Sequence, residues 1–186
     1  MRPVAGSTLL FAAAAALAGC DPGGDNRAGS GAVDLPRLRV DSQLREMGPD
    51  GWHRIALYAN WDFTEPEVWR WIVSQPDCDR ATALAIFWKA APAYYVQFAD
   101  RESVPAVNRE GFDLISLIRG RWLAGAYTRS ELAFDLQNDA GSVDLAELER
   151  LHGERLEQAI PASMRVDLPG RRIADDGPPL PGTFRL

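Results

Sequence analysis

The chain has 186 residues, a formal net charge of −6 and 46% hydrophobic residues, enough for one domain with a sizeable core but not for two comfortable ones. Its basic residues are scattered arginines with a single lysine, Lys89, so nothing in the charge pattern marks a nucleic-acid or anionic-lipid surface. With two cysteines and two isolated histidines, His53 and His152, the familiar spaced-cysteine zinc sites are excluded.

Residues 1–19 open with one positive charge at Arg2 and run apolar from Leu9 to Leu17, too short for the roughly 20 residues of a membrane span. The run ends in Leu17-Ala18-Gly19-Cys20, an aliphatic residue, two small ones and a cysteine. This resembles the lipobox of bacterial lipoproteins. The resemblance implies a leader cut before Cys20, a lipid on its thiol, and membrane attachment through that lipid in the cell envelope, facing the periplasm or the exterior. Without Arg2 the charge would become −6 − 1 = −7. Several acyl chains, at about 0.8 kcal/mol per buried methylene, would hold such a chain without a spanning helix. Cys78 would then be the one remaining thiol, with no partner in the chain.

Residues 20–35 read as a lipidated N-terminus and tether, because Gly, Ser and small polar residues bury too little surface to offset the entropy of ordering. The folded domain is expected over 36–166. A weakly patterned helix at 38–47 precedes a better marked one from Asp50 to about Asn60, where Trp52, Ile55, Ala56 and Ala59 form one apolar stripe. His53 falls outside that stripe and is expected on the solvent side. In Thr64-Glu65-Pro66-Glu67, Thr64 can cap a helix, Pro66 fits its first turn and Glu67 completes a capping box. That helix carries Val68, Trp69, Trp71, Ile72 and Val73 and stops at Pro76.

Asp79 is the natural cap of the next helix, with Leu84, Phe87, Trp88 and Ala91 on its core face. Substitution of Asp79 by Ser or Asn is expected to preserve most of the cap. Pro92 ends that helix or opens another containing Tyr94, Tyr95 and Phe98, and a polar loop runs from Ala99 to Asn108. Residues 110–123 form a helix with Phe112, Leu114, Ile115, Ile118 and Trp122 on one side. Arg119 falls inside that arc and must snorkel or find a carboxylate. One short extended segment is possible near 127–134. Ser142 can cap a helix to about Leu151, with Gly153 ending or weakening it, and 167–186 reads as a Pro/Gly-rich disordered tail. The fold class is mainly α, a small single-domain helical array or bundle.

Five of the six tryptophans lie between Trp52 and Trp88, around Asn60-Trp61-Asp62, Pro76-Asp77-Cys78-Asp79, Ala83-Leu84 and Phe87-Trp88. These motifs resemble an uncharacterised bacterial family, the domain of unknown function 4274, over about residues 52–95. The resemblance implies a small, mainly helical domain and no particular activity.

Chemistry is less legible. Asp62, Glu65, Glu67, Asp77 and Asp79 could include a carboxylate pair for glycan cleavage, with tryptophans as sugar platforms. Acids are also what helix starts require, and tryptophan at core spacing is ordinarily core. Cys78 with His53 matches no cysteine-hydrolase pattern, and a lone cysteine before a helix is usually a small buried hydrophobe. No phosphate loop, metal motif or serine-hydrolase elbow is present, so no catalytic residue, metal or cofactor is expected. Asn60, Trp61 and Asp62 form a candidate binding surface, an aromatic anchor ringed by polar groups, while Thr64, Glu67 and Asp79 are candidate caps. The expected function is a membrane-tethered, non-catalytic interaction module with a protein partner: a scaffold, an assembly partner or an immunity-like inhibitor. The alternative is a small envelope hydrolase acting on glycan or peptidoglycan.

Overall fold

The structure, a computed structural model, describes residues 35–176 apart from Ser142, and side chains from Ser42 onward apart from Phe63 and Ser142. The leader, Cys20, most of the tether, the cap expected of Ser142 and residues 177–186 lie outside the described residues. Helix α1 (Leu35–Tyr58) contains both helices expected before Asn60, broken at Gly48-Pro49, where Gly48 has φ 63° and ψ −173°. Glycine tolerates this left-handed turn and proline suits the restart that follows. The two halves are tied by the Trp52 indole N–H, which donates to the Leu44 carbonyl. After the short turn Trp61–Phe63 come α2 (Pro66–Ser74), α3 (Arg80–Lys89) and the single-turn α4 (Pro92–Tyr95). Helix α5 (Arg109–Leu123) follows, and then the short helices α6 (Leu136–Asp139), α7 (Leu145–His152) and α8 (Glu154–Ala159).

Helix α3 is the hub. Every residue from Ala81 to Trp88 is buried, so α3 has no polar face and is covered all round, by α1, α2, α4 and α5 among others. The sequence places Ala91 on its core face. Ala91 is instead exposed, in a left-handed conformation (φ 55°), where it turns the chain into α4. The stripe Trp52, Ile55, Ala56 and Ala59 is buried as its spacing predicts. Trp52 meets Trp71 edge-on at 5.4 Å between ring centroids, and Trp61 stacks on Trp69 at 4.8 Å, nearly parallel. Such pairs contribute roughly 0.5–1.5 kcal/mol beyond the area they bury.

Two sequence expectations fail at helix starts. The N-cap of α2 is Glu65 and not Thr64, and its side chain makes no capping bond. The Thr64 hydroxyl donates backwards to the Asn60 carbonyl at 2.8 Å, closing the preceding turn, so the capping box never forms and Glu67 is left exposed in the first turn. The reason is that Asn60 already begins a 3₁₀ turn that takes Thr64 as its C-cap. Helix α7, for its part, is capped by Asp144, whose carboxylate accepts from Glu147 N at 2.9 Å.

The tail expectation also needs correction. Beyond 166 the chain continues as a strap. Phe134 and Leu168 exchange backbone hydrogen bonds in an antiparallel bridge, while Leu132 and Arg171 form a parallel one. The segment expected to be extended near 127–134 thus finds its partner in the supposed tail. The strap goes on along α1: Arg171 pairs with Asp50, Tyr58 donates to Ile173 O at 3.0 Å, and Arg54 pairs with Asp175. Composition marked this stretch as disordered because its anchors are backbone bonds, ion pairs and two isolated apolar side chains, Leu168 and Ile173, too few to make an apolar pattern.

Candidate functional site

The Asn60-Trp61-Asp62 turn is held by its own side chains. The Asn60 side-chain carbonyl accepts from Asp62 N at 3.0 Å, and Trp61 is half-buried against the fully buried Trp69. Asn60 and Asp62 remain exposed, but the ring expected to anchor a partner is largely committed to the core.

The carboxylates of the hydrolase reading are not equivalent groups. Asp62, Glu67 and Asp77 are at the surface, whereas Asp79 is wholly buried. One Asp79 oxygen accepts from Ala81 N at 2.9 Å, capping α3 as its position predicts. The other accepts from Glu131 N at 2.8 Å and Leu132 N at 3.3 Å, with the Arg129 guanidinium 3.9 Å away. A carboxylate held by three backbone donors and closed off from water has no means of meeting a substrate proton. Asp79 pins the start of α3 to the strand-like segment that carries the strap.

His53 lies beside this knot. Contrary to the solvent-side expectation it is fully buried, with Nδ1 3.1 Å from the Thr82 hydroxyl and no hydrogen-bond partner for Nε2. Burial pushes its pKa below the usual histidine value, against the opposing pull of Asp79. The Cys78 thiol points to the Asp79 carbonyl at 3.6 Å, and burial pushes its pKa up to about 12. His53 and Cys78 therefore have different partners, and the thiol is held in its unreactive form. Among the described residues no group of three or more His, Cys, Asp or Glu is placed to hold a metal ion.

A half-open cleft of about 540 Å³ lies among the α4 region, α5 and α8. It was not visible in the sequence because α5 has two faces. Leu114, Ile115, Ile118 and Trp122 are buried, while Phe112, Ser116, Arg119 and Leu123 form a second line at spacings of four, three and four that faces the cleft. Phe112 thus belongs to the outer line and not to the core stripe. The facing wall holds Tyr95 and Phe98. Tyr95 packs on Tyr94 at 5.0 Å and Phe112 at 6.0 Å, and its hydroxyl donates to Asn108 O at 3.1 Å. Gly111 makes that approach possible, since a Cβ there would stand 2.3 Å from the tyrosine oxygen.

Arg119 resolves its conflict without a carboxylate. Its guanidinium donates to the Gln158 carbonyl near the C-terminal end of α8, where the helix carbonyls and dipole favour a cation. Arg155, across the cleft, is exposed and makes no ion pair among the described residues. Among the described residues both charged groups lining the cleft are arginines, on a chain whose net charge is −6.

Residues 48–123, from the break in α1 to the end of α5, match a family described as Domain of unknown function (DUF4274). The match covers 76 of the 186 residues, and over them the chain is similar to that family. No curated protein and no solved structure matches the chain. The DUF4274 segment contains the hub α3, the Asn60-Trp61-Asp62 turn, Asp79 and the α4–α5 side of the cleft. Arg155 and Gln158, and the backbone donors that close around Asp79, come from the chain beyond it.

Proposed function

We propose that this protein is a membrane-tethered, non-catalytic interaction module of the bacterial cell envelope, anchored by a lipid on Cys20 and binding a protein partner through the arginine-lined cleft. The observation that supports it most is that cleft, with its aromatic wall and the exposed Leu123, which is 64% accessible at the rim. Its volume falls in the range of about 300–1,000 Å³ in which specific sites occur. The Asn60-Trp61-Asp62 turn is a weaker candidate surface, since Trp61 is stacked into the core. No helix among the described residues is long and apolar enough to cross a membrane, so attachment rests on the Leu17-Ala18-Gly19-Cys20 motif.

A photoreactive amino acid at Leu123, compared with one at the similarly exposed Leu151 on α7, tests the partner. Irradiation of intact cells should trap one discrete protein adduct from position 123 and none from 151. Metabolic labelling with an alkyne fatty acid tests the anchor, and Cys20→Ser should abolish it. Equal trapping from both positions, or undiminished labelling of the serine variant, would overturn the corresponding half of the proposal.

A further inference from the structure

The outer line of α5 runs from Phe112 to Leu123, twelve residues, or about 16 Å of helix at 1.5 Å per step. That is the length of three helical turns. The line is apolar at both ends and carries Arg119 between them. Phe98, from the α4 region, and Arg155, on α8, also line it. Only one guanidinium nitrogen of Arg119 is engaged by Gln158, and a guanidinium carries five N–H donors in a fork suited to a carboxylate. Among the described residues no acidic side chain lines the trough. Leu123, which lines it, is 64% exposed, so the cleft is reached from solvent and its volume of about 540 Å³ is only half enclosed.

Resting on the interaction reading above, we infer that the cleft receives an amphipathic helix of a partner protein, with apolar side chains at i, i+4 and i+7 seated against Phe98, Phe112 and Leu123 and an intervening carboxylate paired with Arg119 and Arg155. The mode is helix-in-groove recognition, in which spacing selects the anchors and charge selects the partner. The Tyr95–Asn108 bond and the close approach at Gly111 fix the aromatic wall beforehand, which lowers the ordering cost of binding.

The test uses the full mature chain in phosphatidylcholine nanodiscs, with empty nanodiscs as the blank. The probes are two fluorescent designed helices of about 14 residues, identical but for glutamate or lysine between the leucine anchors. Fluorescence polarisation should show saturable binding of the glutamate helix at least about tenfold tighter than its lysine twin. Arg155→Glu changes an exposed side chain, leaves Arg119 facing a carboxylate and should abolish most of that preference, while Leu123→Ala should weaken both probes. Binding of neither helix, equal binding of the two, or an unchanged preference in Arg155→Glu overturns the acidic-helix proposal. So does concentration-dependent self-association lost in Leu123→Ala, the occupant then being a second copy. The trapping experiment at Leu123 keeps the two levels apart: a discrete adduct without probe discrimination overturns the acidic helix alone, and absence of any adduct overturns the interaction reading itself.

Discussion

Removing the Asp79 carboxylate should cost more than removing a helix cap. An ordinary N-cap is worth about 0.5–2 kcal/mol. Here the second oxygen also satisfies Glu131 N and Leu132 N, and the Leu132 side chain is only 1% exposed. A buried donor left without a partner costs about 1–3 kcal/mol. Together these put Asp79→Ala at roughly 1.5–5 kcal/mol. Serine can restore the bond to Ala81 N, but it is too short to reach the Glu131–Leu132 backbone, so Asp79→Ser should recover only about 1 kcal/mol. Asparagine keeps the length but turns an N–H₂ toward one set of donors, so it also falls well short. This departs from plain capping, under which serine and asparagine would suffice. Urea unfolding followed by tryptophan fluorescence reads all three variants. If Asp79→Asn matches the parent in midpoint and slope, the second oxygen contributes nothing and the account of the knot is wrong.

His53 should make stability depend on pH. Its folded pKa lies below the unfolded value, so the unfolded chain takes up a proton that the fold refuses. Stability should therefore be full above about pH 7 and fall as the pH drops, by up to about 1.4 kcal/mol between pH 7.5 and 5.5. His53→Gln should flatten that part of the profile, and an unchanged slope would count against a buried neutral histidine facing Asp79, Asp139 and Asp50. Gly111→Ala should destabilise by about 1–2 kcal/mol despite alanine's better helix propensity, because the Tyr95 hydroxyl must move. Combining it with Tyr95→Phe should give less than the sum of the single losses, and strict additivity in a double-mutant cycle would contradict the contact. Cys78 should resist iodoacetamide in the folded chain and react on unfolding, as read by peptide mass mapping. Rapid native labelling would show that the thiol is neither buried nor held protonated.

Much of the helical layout could be read from local signals. Asp79 before Ala81-Thr82-Ala83-Leu84 and Pro66 at a helix start are instructions a few residues long, and both are obeyed. Misreadings arise where remote chain intervenes. His53 looked solvent-facing because Trp52, Ile55 and Ala56 define a single stripe, yet Thr82 on α3 covers its other side. Thr64 looked like a cap because nothing nearby said that Asn60 would claim it first. The cleft needs Arg155 and Gln158 beside α5, more than thirty residues away in the chain, so no local pattern could reveal it. Arg119 was the one legible hint: a cation in an apolar arc announced that something had to meet it.

The strap has a consequence for the order in which the molecule is made. Its ion pairs and bridges join residues as far apart as Arg54 and Asp175, 121 positions along the chain. Closing a loop of that length costs about 2 kcal/mol more than closing one a tenth as long, and it cannot begin until the C-terminal residues have left the ribosome. Helices α1 to α5 can assemble during synthesis, but Asp79 waits for Glu131 and Leu132 and α1 waits for the strap. A nascent chain halted after Leu123 therefore carries the whole matched segment with one oxygen of the Asp79 carboxylate unanswered and one flank of α1 still wet. The matched segment and the length of chain that completes its buried contacts are thus different.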